Sequence, residues 1–261
     1  MGCKVASHCC ANVHNHATTN LNVEMTDQIR ISAKNLGQVA LPGFCERCFW
    51  VKLKLNNRLP YQIFPGIFSS IDAYSKRVIH AWFDKHNTAP PCLKDLGEIV
   101  GYREPPHFSK FNINDRRNNI LLTGNPDGVL IHSDRSHIIV DYKTAKFTKN
   151  QDELYPMYEA QLNAYAFIGE QRGLSTVTNL ALVYTEPVTD ETTAAAPENH
   201  VQDGFTMKFS AYVRDVKLDP EVLTPLLETT RRLYDLETSP DSRANCEDCI
   251  RLGDLVDLAS I

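Results

Sequence analysis

The stretch LTGNPDGVLIHSDRSHIIVDYKTAKF, residues 122–147, has the pattern of two β-strands joined by a turn. Asp127 lies in a Pro-Asp-Gly context at a strand bend, and Asp141 ends the β-branched run HIIV of the second strand. If the two strands pair, both carboxylates lie at the same rim of a sheet. Two oxygen ligands on adjacent strands predict a site for Mg²⁺ or Mn²⁺.

Lys143 follows Asp141 by two positions, so both side chains lie on the same face of their strand. A lysine beside a metal ion can hold or deprotonate the attacking water and neutralise charge on a phosphoryl oxygen. Two carboxylates and a lysine at a hairpin are also common as a solvated strand end. The pattern alone leaves both interpretations open.

A second motif lies in the segment that follows this strand. A helix is predicted over residues 156–170, because Pro156 suits its first turn and Gly173 lies just past its end. Gln161 and Tyr165 are four residues apart on this helix and therefore project from one face. Taken alone, the pair is explained by ordinary helix packing. Its place directly after the lysine strand favours a role in the same site.

Residues 126–127 and 141–143 resemble the motif of the PD-(D/E)XK nuclease superfamily, and residues 161–165 resemble the Gln-x-x-x-Tyr motif of its RecB-like branch. The resemblance implies a restriction-endonuclease-like α/β core. The expected metal ligands are Asp127, Asp141 and the Tyr142 carbonyl. The glutamine and tyrosine of the second motif are expected to line the site and to contact the substrate backbone.

The same branch takes one more ligand from an upstream helix, which here is predicted over residues 65–86. Asp72 falls on an apolar stripe with Ile79, where a carboxylate is costly unless it is paired or bound to metal. His80 projects with Lys76 on a face expected to be solvated. Asp72 is therefore the preferred candidate, although a capping or hydrogen-bonded structural role explains it equally well.

Four of the eight cysteines form two Cys-x-x-Cys pairs, CERC at 45–48 and CEDC at 246–249. Each pair offers two thiolates, and together they predict one metal centre that joins the chain ends: Cys45, Cys48, Cys246 and Cys249. The arrangement is similar to the iron-sulfur CRISPR-associated exonucleases and to helicase-nuclease subunits, which implies a 4Fe-4S cluster. Those families place one cysteine before the core and three after it, so structural Zn²⁺ is the alternative.

The rest of the chain sets the frame for these sites. Residues 1–27 lack apolar periodicity and are expected to be a disordered leader, with Met25 a possible true start. Residues 28–261 are expected to form one domain with a mixed central sheet flanked by helices, and residues 87–118 a long irregular connection. No run of apolar residues reaches membrane-spanning length, no signal peptide is visible, and a cytoplasmic location is expected.

The formal net charge of −5 gives no overall attraction to nucleic acid, so a polyanion would need a local basic patch. Candidate patches follow the catalytic strand and the first cysteine pair: Lys143, Lys146 and Lys149, and Lys52, Lys54 and Arg58. Most basic runs of this kind are simply solvent-exposed surface with no role in binding.

The motifs together predict a metal-dependent deoxyribonuclease, expected to be an exonuclease that acts on single-stranded DNA or free ends. Partner proteins in DNA repair, recombination or phage defence are conceivable from the resemblance. Two alternatives stay open. One is a nucleic-acid-binding module that keeps the nuclease fold but does not cleave, and the other is a structural scaffold that is held together by Zn²⁺ and binds no nucleic acid.

Overall fold

The computed structural model describes residues 27–59, 65–148 and 153–260. Ten strands occur in these ranges: β1 (Ile29–Ser32), β2 (Ile99–Arg103), β3 (Asn112–Asp115), β4 (Ile120–Thr123), β5 (Gly128–His132), β6 (His137–Lys143), β7 (Val177–Pro187), β8 (His200–Val201), β9 (Gly204–Phe205) and β10 (Phe209–Val216). The α-helices there are α1 (Ala33–Gly37), α2 (Glu46–Lys54), α3 (Gly66–His86), α4 (Tyr155–Gln171), α5 (Glu191–Ala195), α6 (Leu223–Asp235) and α7 (Glu247–Ala259).

The largest sheet has the strand order β10-β7-β6-β5-β2. Strands β6 and β7 are parallel and α4 connects them, because parallel neighbours need a long crossover. The pairs β5–β6, β2–β5 and β7–β10 are antiparallel. The predicted α/β fold with a mixed central sheet flanked by helices is thereby confirmed.

Strand β6 is buried from His137 to Tyr142, as its run of β-branched residues predicts. Successive side chains of β6 point to opposite faces of the sheet, so they pack into two separate layers of the core. Ile139 packs in the layer that contains α4, whereas Ile138 and Val140 pack with Ile79 of α3 in the other. Asp141 shares the parity of Ile139 and therefore faces α4.

A second sheet has the order β1-β4-β3, with β1 parallel to β4. It places the start of the described chain beside residues 120–123, just before the Pro-Asp-Gly bend. The expectation of an irregular connection over residues 87–118 was wrong. This segment holds β2 and β3, which are short and only partly buried and so lack a clear periodic signal.

The two cysteine pairs lie at the starts of α2 and α7, and the four thiols meet. The predicted joining of the chain ends is thus present in the fold. None of the helices in the described ranges combines the length and apolarity needed to cross a bilayer. The predicted leader lies outside the described residues except for Asp27, and the single domain over 28–261 stays a prediction.

Candidate active site

The two predicted carboxylates meet where β5 begins and β6 ends. Gly128 pairs with Val140, which places Asp127 beside Asp141. The backbone N–H of Tyr142 donates a hydrogen bond to Oδ2 of Asp127 over 3.1 Å. Asp141 is only 3% exposed. The hairpin therefore holds one carboxylate at its surface and one in its interior.

Two glycines allow this close approach. A Cβ at Gly128 would lie 2.8 Å from Cγ2 of Val140, a separation that real Cβ atoms do not show. A Cβ at Gly124 would lie 2.7 Å from Cδ1 of Tyr165. The bend before Asp127 therefore requires glycine on both sides, once against β6 and once against the tyrosine of α4.

The second motif converges on the buried carboxylate. Nε2 of Gln161 donates to Oδ1 of Asp141 over 3.1 Å and to the hydroxyl oxygen of Tyr165 over 2.8 Å. Lys143 forms an ion pair with Oδ2 of Asp141, and its ammonium lies 4.2 Å from the ring centroid of Tyr158. Asp141 thus has a neutral donor on one oxygen and a cation on the other.

The single cation beside Asp141 does not offset the effects of burial and of the second carboxylate on its pKa. Its pKa is raised to about 7, mainly by burial and also by the neighbouring Asp127, while Lys143 acts in the opposite direction. Burial and the charge of Asp141 also raise the pKa of the Tyr165 phenol beyond its ordinary range. A bound cation would relieve the repulsion between the two carboxylates.

Lys76 of α3 is the site residue that the sequence interpretation missed. Its Nζ lies 2.8 Å from Oδ1 of Asp127 and 3.2 Å from Oδ2 of Asp72, one helical turn away. Burial opposes its charge, but the attraction of Asp127 and Asp72 raises its pKa. Burial and Asp127 also raise the pKa of Asp72. The four-residue spacing of Asp72 and Lys76 was the available signal.

His80 is not the solvated residue that the helical projection indicated. Its ring stacks on Tyr102 with centroids 3.9 Å apart, and Nδ1 lies 3.5 Å from Oε1 of Glu104. Asp72 faces the site as preferred, although its observed partner is Lys76. The helical projection was therefore wrong for Lys76 and His80, while the role of Asp72 as a metal ligand stays a prediction.

The basic residues near the proposed site differ in their surroundings. Lys52 donates to Oε1 of Gln38 and Lys54 to the carbonyl of Tyr234, so both lie within contacts of the fold. Lys149 lies outside the described residues. Lys34, which follows β1, lines the groove of about 580 Å³ that opens over Asp127 and Lys143. Of the predicted patches, Lys143 thus lies in the site itself, and Lys34 of α1 adds a cation that the sequence did not indicate.

A family model described as the PD-(D/E)XK nuclease superfamily matches residues 69–251, which is more than half of the chain. The chain belongs to the PD-(D/E)XK nuclease superfamily. It is also similar to a solved structure titled "Crystal structure of SSO0001", with 15% identity over 87% of this chain and 86% of that chain and a TM-score of 0.45. A comparison with curated proteins finds no match.

The residues present fit the divalent metal that PD-(D/E)XK nucleases use. Asp127 and Asp141 supply hard oxygen ligands from adjacent strands. Oε1 of Gln161 is buried and has no hydrogen-bond partner among the described residues, so this rim holds an unused acceptor. Lys76 places a positive charge on Asp127, which a cation would share or replace.

A second candidate metal centre lies away from the nuclease rim. Sγ atoms are 3.6 Å apart in Cys45–Cys249, 3.5 Å in Cys48–Cys246 and 3.2 Å in Cys48–Cys249, and all four lie within 4.8 Å of one another. The set is half-buried at Cys48 and buried at the other three. Four free thiols at these separations can hold a metal or a metal cluster.

Local structure explains why these thiols converge. Cys45 precedes α2 and Cys246 precedes α7, while the second cysteine of each pair lies in the first helical turn. Helix N-termini favour thiolates through their unpaired N–H groups. Burial opposes ionisation of Cys45, but N–H groups of Arg243 and Cys48 lower its pKa to about 6. Burial raises the pKa of Cys249 to about 11, so a metal would be needed to ionise the whole set.

Proposed function

We propose that this nuclease-fold protein is a Mg²⁺- or Mn²⁺-dependent deoxyribonuclease. The observation that carries the proposal is the environment of Asp141, which lies beside Asp127 and contacts both Gln161 and Lys143. A purely structural carboxylate in the core has no need of a second carboxylate beside it at the rim of a groove. The arrangement suits a metal ligand whose remaining contacts orient it.

Each residue takes a defined role in the proposed reaction. Asp127, Asp141 and the Tyr142 carbonyl would hold the ion, with Asp72 of α3 as a further ligand. The ion, when bound, lowers the pKa of a water molecule and polarises a phosphoryl oxygen. Lys143, held between Asp141 and the Tyr158 ring, orients the attacking water and stabilises negative charge on the phosphoryl group.

Gln161 and Tyr165 are proposed to orient the scissile phosphate. They are linked to each other and to Asp141, so movement of either would disturb the ligand directly. The groove over Asp127 and Lys143 is open rather than a closed pocket, which suits a polymer. We propose exonuclease action on single-stranded DNA or free ends, in the cytoplasm. Partner proteins in repair, recombination or phage defence are part of the same proposal.

The test is incubation of the purified chain with 5′-labelled single-stranded DNA, duplex DNA and RNA, with Mg²⁺, Mn²⁺ or no divalent ion. We expect metal-dependent cleavage of DNA that Asp141→Asn abolishes. A ladder that shortens from an end supports an exonuclease, whereas cutting of a covalently closed circle contradicts it. Tight binding without cleavage under every metal condition would instead support the non-cleaving binding module.

For the four cysteines we propose one metal centre that closes the domain. The sequence resemblance implies a 4Fe-4S cluster, but the sulfur separations support a single tetrahedral ion such as Zn²⁺. With Zn–S bonds of about 2.3 Å, tetrahedral sulfurs lie about 3.8 Å apart. A cubane binds each thiolate to a different iron and holds the sulfurs farther apart. Iron, sulfide and zinc analysis after anaerobic purification distinguishes the two.

A further inference from the structure

Two grooves flank the candidate active site and share one cation. The first, of about 580 Å³, is lined by Phe68, Asp127 and Lys143. The second, of about 250 Å³, is lined by Phe108, Arg30 and Tyr165. Lys34 lines both grooves. Two of the residues that would hold the proposed metal, Asp127 and Tyr142, line the first groove, and Lys34 connects that groove to the second.

Each groove carries an exposed phenylalanine. Phe68 in the first turn of α3 is 44% exposed, and Phe108, before β3, is 57% exposed. The ring of Phe108 lies 4.2 Å from that of His107, and a ligand stacked in either groove would cover further apolar surface. In both grooves the aromatic ring is accompanied by the Lys34 ammonium, and the second groove adds the Arg30 guanidinium.

Aromatic faces interleaved with cations are the recognition chemistry of single-stranded nucleic acid. Bases stack on the rings, and the cations bind the backbone phosphates. A duplex keeps its bases stacked inside, so it could use the cations but not the rings. With a net charge of −5, these local cations must supply the attraction that the whole chain lacks.

We infer that the two grooves form one track for a single strand, with bases stacked on Phe68 and Phe108 and backbone phosphate bound by Lys34. The inference rests on the proposed nuclease function and specifies its substrate. The strand crosses Lys34 between the two rings, which brings a phosphodiester to the rim held by Asp127 and Asp141.

The test measures binding of the full chain to a labelled oligothymidylate by fluorescence anisotropy. Ca²⁺ replaces Mg²⁺, and a denaturing gel checks that the oligonucleotide stays intact. Phe68→Ala and Phe108→Ala should each weaken binding roughly 5- to 150-fold, the effect expected for one lost stacking contact. The matched control is Ile67→Ala, which removes a neighbouring apolar side chain that is 60% exposed and does not line the groove.

Two further probes separate stacking from charge. An abasic oligonucleotide of the same length should bind the parental chain and both phenylalanine variants alike, because it offers no base to stack. Lys34→Gln should weaken binding to both oligonucleotides and reduce the slope of log affinity against log salt by about 0.7, the value for one phosphate contact on a single strand. A thermal melt of each variant checks that it is folded.

The outcomes are distinct from those of the cleavage test. If the parental chain cleaves DNA but the phenylalanine variants bind oligothymidylate like Ile67→Ala, the track is overturned and the nuclease proposal stands. Equal affinity for a blunt duplex and for the single strand also overturns the track, as does the absence of parental binding. If the parental chain does not cleave DNA with either Mg²⁺ or Mn²⁺, the proposed nuclease function is overturned, whatever the binding experiment shows.

Discussion

Lys76 and Asp127 form an ion pair across the candidate active site, with Nζ 2.8 Å from Oδ1. The lysine comes from α3 and the aspartate precedes β5, so the pair joins the helix to the rim of the candidate active site. Because Lys76 also contacts Asp72, one ammonium balances two carboxylates that would otherwise repel each other. Lys76 therefore occupies part of the position in which a divalent ion would bind Asp127.

We predict that Lys76→Met tightens Mn²⁺ binding, because the variant leaves Oδ1 of Asp127 to the ion alone. The same change should lower metal-free stability by about 1 kcal/mol, as expected for a partly exposed ion pair. Manganese titration by electron paramagnetic resonance and thermal melts measure the two effects. Lys85→Met, at an exposed position of the same helix, is the control. Weaker Mn²⁺ binding by Lys76→Met would show that the lysine supports the metal rather than competing with it.

Lys143→Ala should reduce metal-dependent cleavage at least about 100-fold, the usual cost of removing one group that stabilises charge in the transition state. Lys146→Ala removes an exposed lysine three residues later and should leave the rate unchanged. Circular dichroism establishes that both proteins are folded. A Lys143→Ala protein that cuts at the parental rate would end the assignment of this lysine to the chemistry.

Asp72→Asn should lower cleavage strongly, because it removes a carboxylate that lines the same groove as Asp127 and is proposed as a further ligand of the ion. His80→Asn should change the rate little, since the contacts of that ring are with Tyr102 and Glu104. His80→Asn should instead lower the melting temperature by loss of the stack. Single-turnover cleavage and melting curves measure both variants, and the opposite ranking of rates would reverse their roles.

Gly128→Ala should disturb the active site through packing alone. The new methyl would lie 2.8 Å from Cγ2 of Val140, so the strands must separate and Asp127 must move. We expect a loss of about 1–3 kcal/mol of stability, typical of overpacking, together with reduced cleavage. Gly101→Ala is the matched control, because a Cβ there meets nothing within 4 Å. Adding Val140→Ala should restore part of the activity of Gly128→Ala, and failure of this rescue would indicate another cause.

Cys246→Ser should destabilise the whole chain, since metal binding at thiolates from both ends is part of the folding free energy. A loss of about 3 kcal/mol would lower the melting temperature by roughly 6–12 °C in a protein of this size. Cys92→Ser changes an exposed thiol outside the cluster and should have no such effect. Metal-free protein whose melting is the same with and without Cys246 would contradict a metal centre at this position.

Sequence patterns were sufficient wherever one element determined the outcome. The buried run of β6 predicted its place in the sheet, and alternation predicted that Asp141 and Lys143 share a face. The four-residue spacing of Gln161 and Tyr165 predicted their common direction on α4. These features depend on local geometry, so they can be inferred from a single stretch of chain.

Features that depend on how elements dock could not be inferred in this way. The contact between Lys76 and Asp127 depends on the packing of α3 against the hairpin, 51 residues away in sequence. Strands β2 and β3 are short and half-exposed, so their formation depends on partners rather than on periodicity. The placement of Lys34 beside the site depends on a parallel pairing between β1 and β4, which no local pattern reveals.

The position of Cys249 in α7 determines how the end of the chain is retained. It is the one buried residue of this 13-residue helix, all of which the structure describes, while Ile250, Val256 and Leu258 are exposed. The helix is therefore attached to the body of the protein mainly at its first turn. Thiol oxidation and metal starvation are two chemically unrelated changes that would release the same helix.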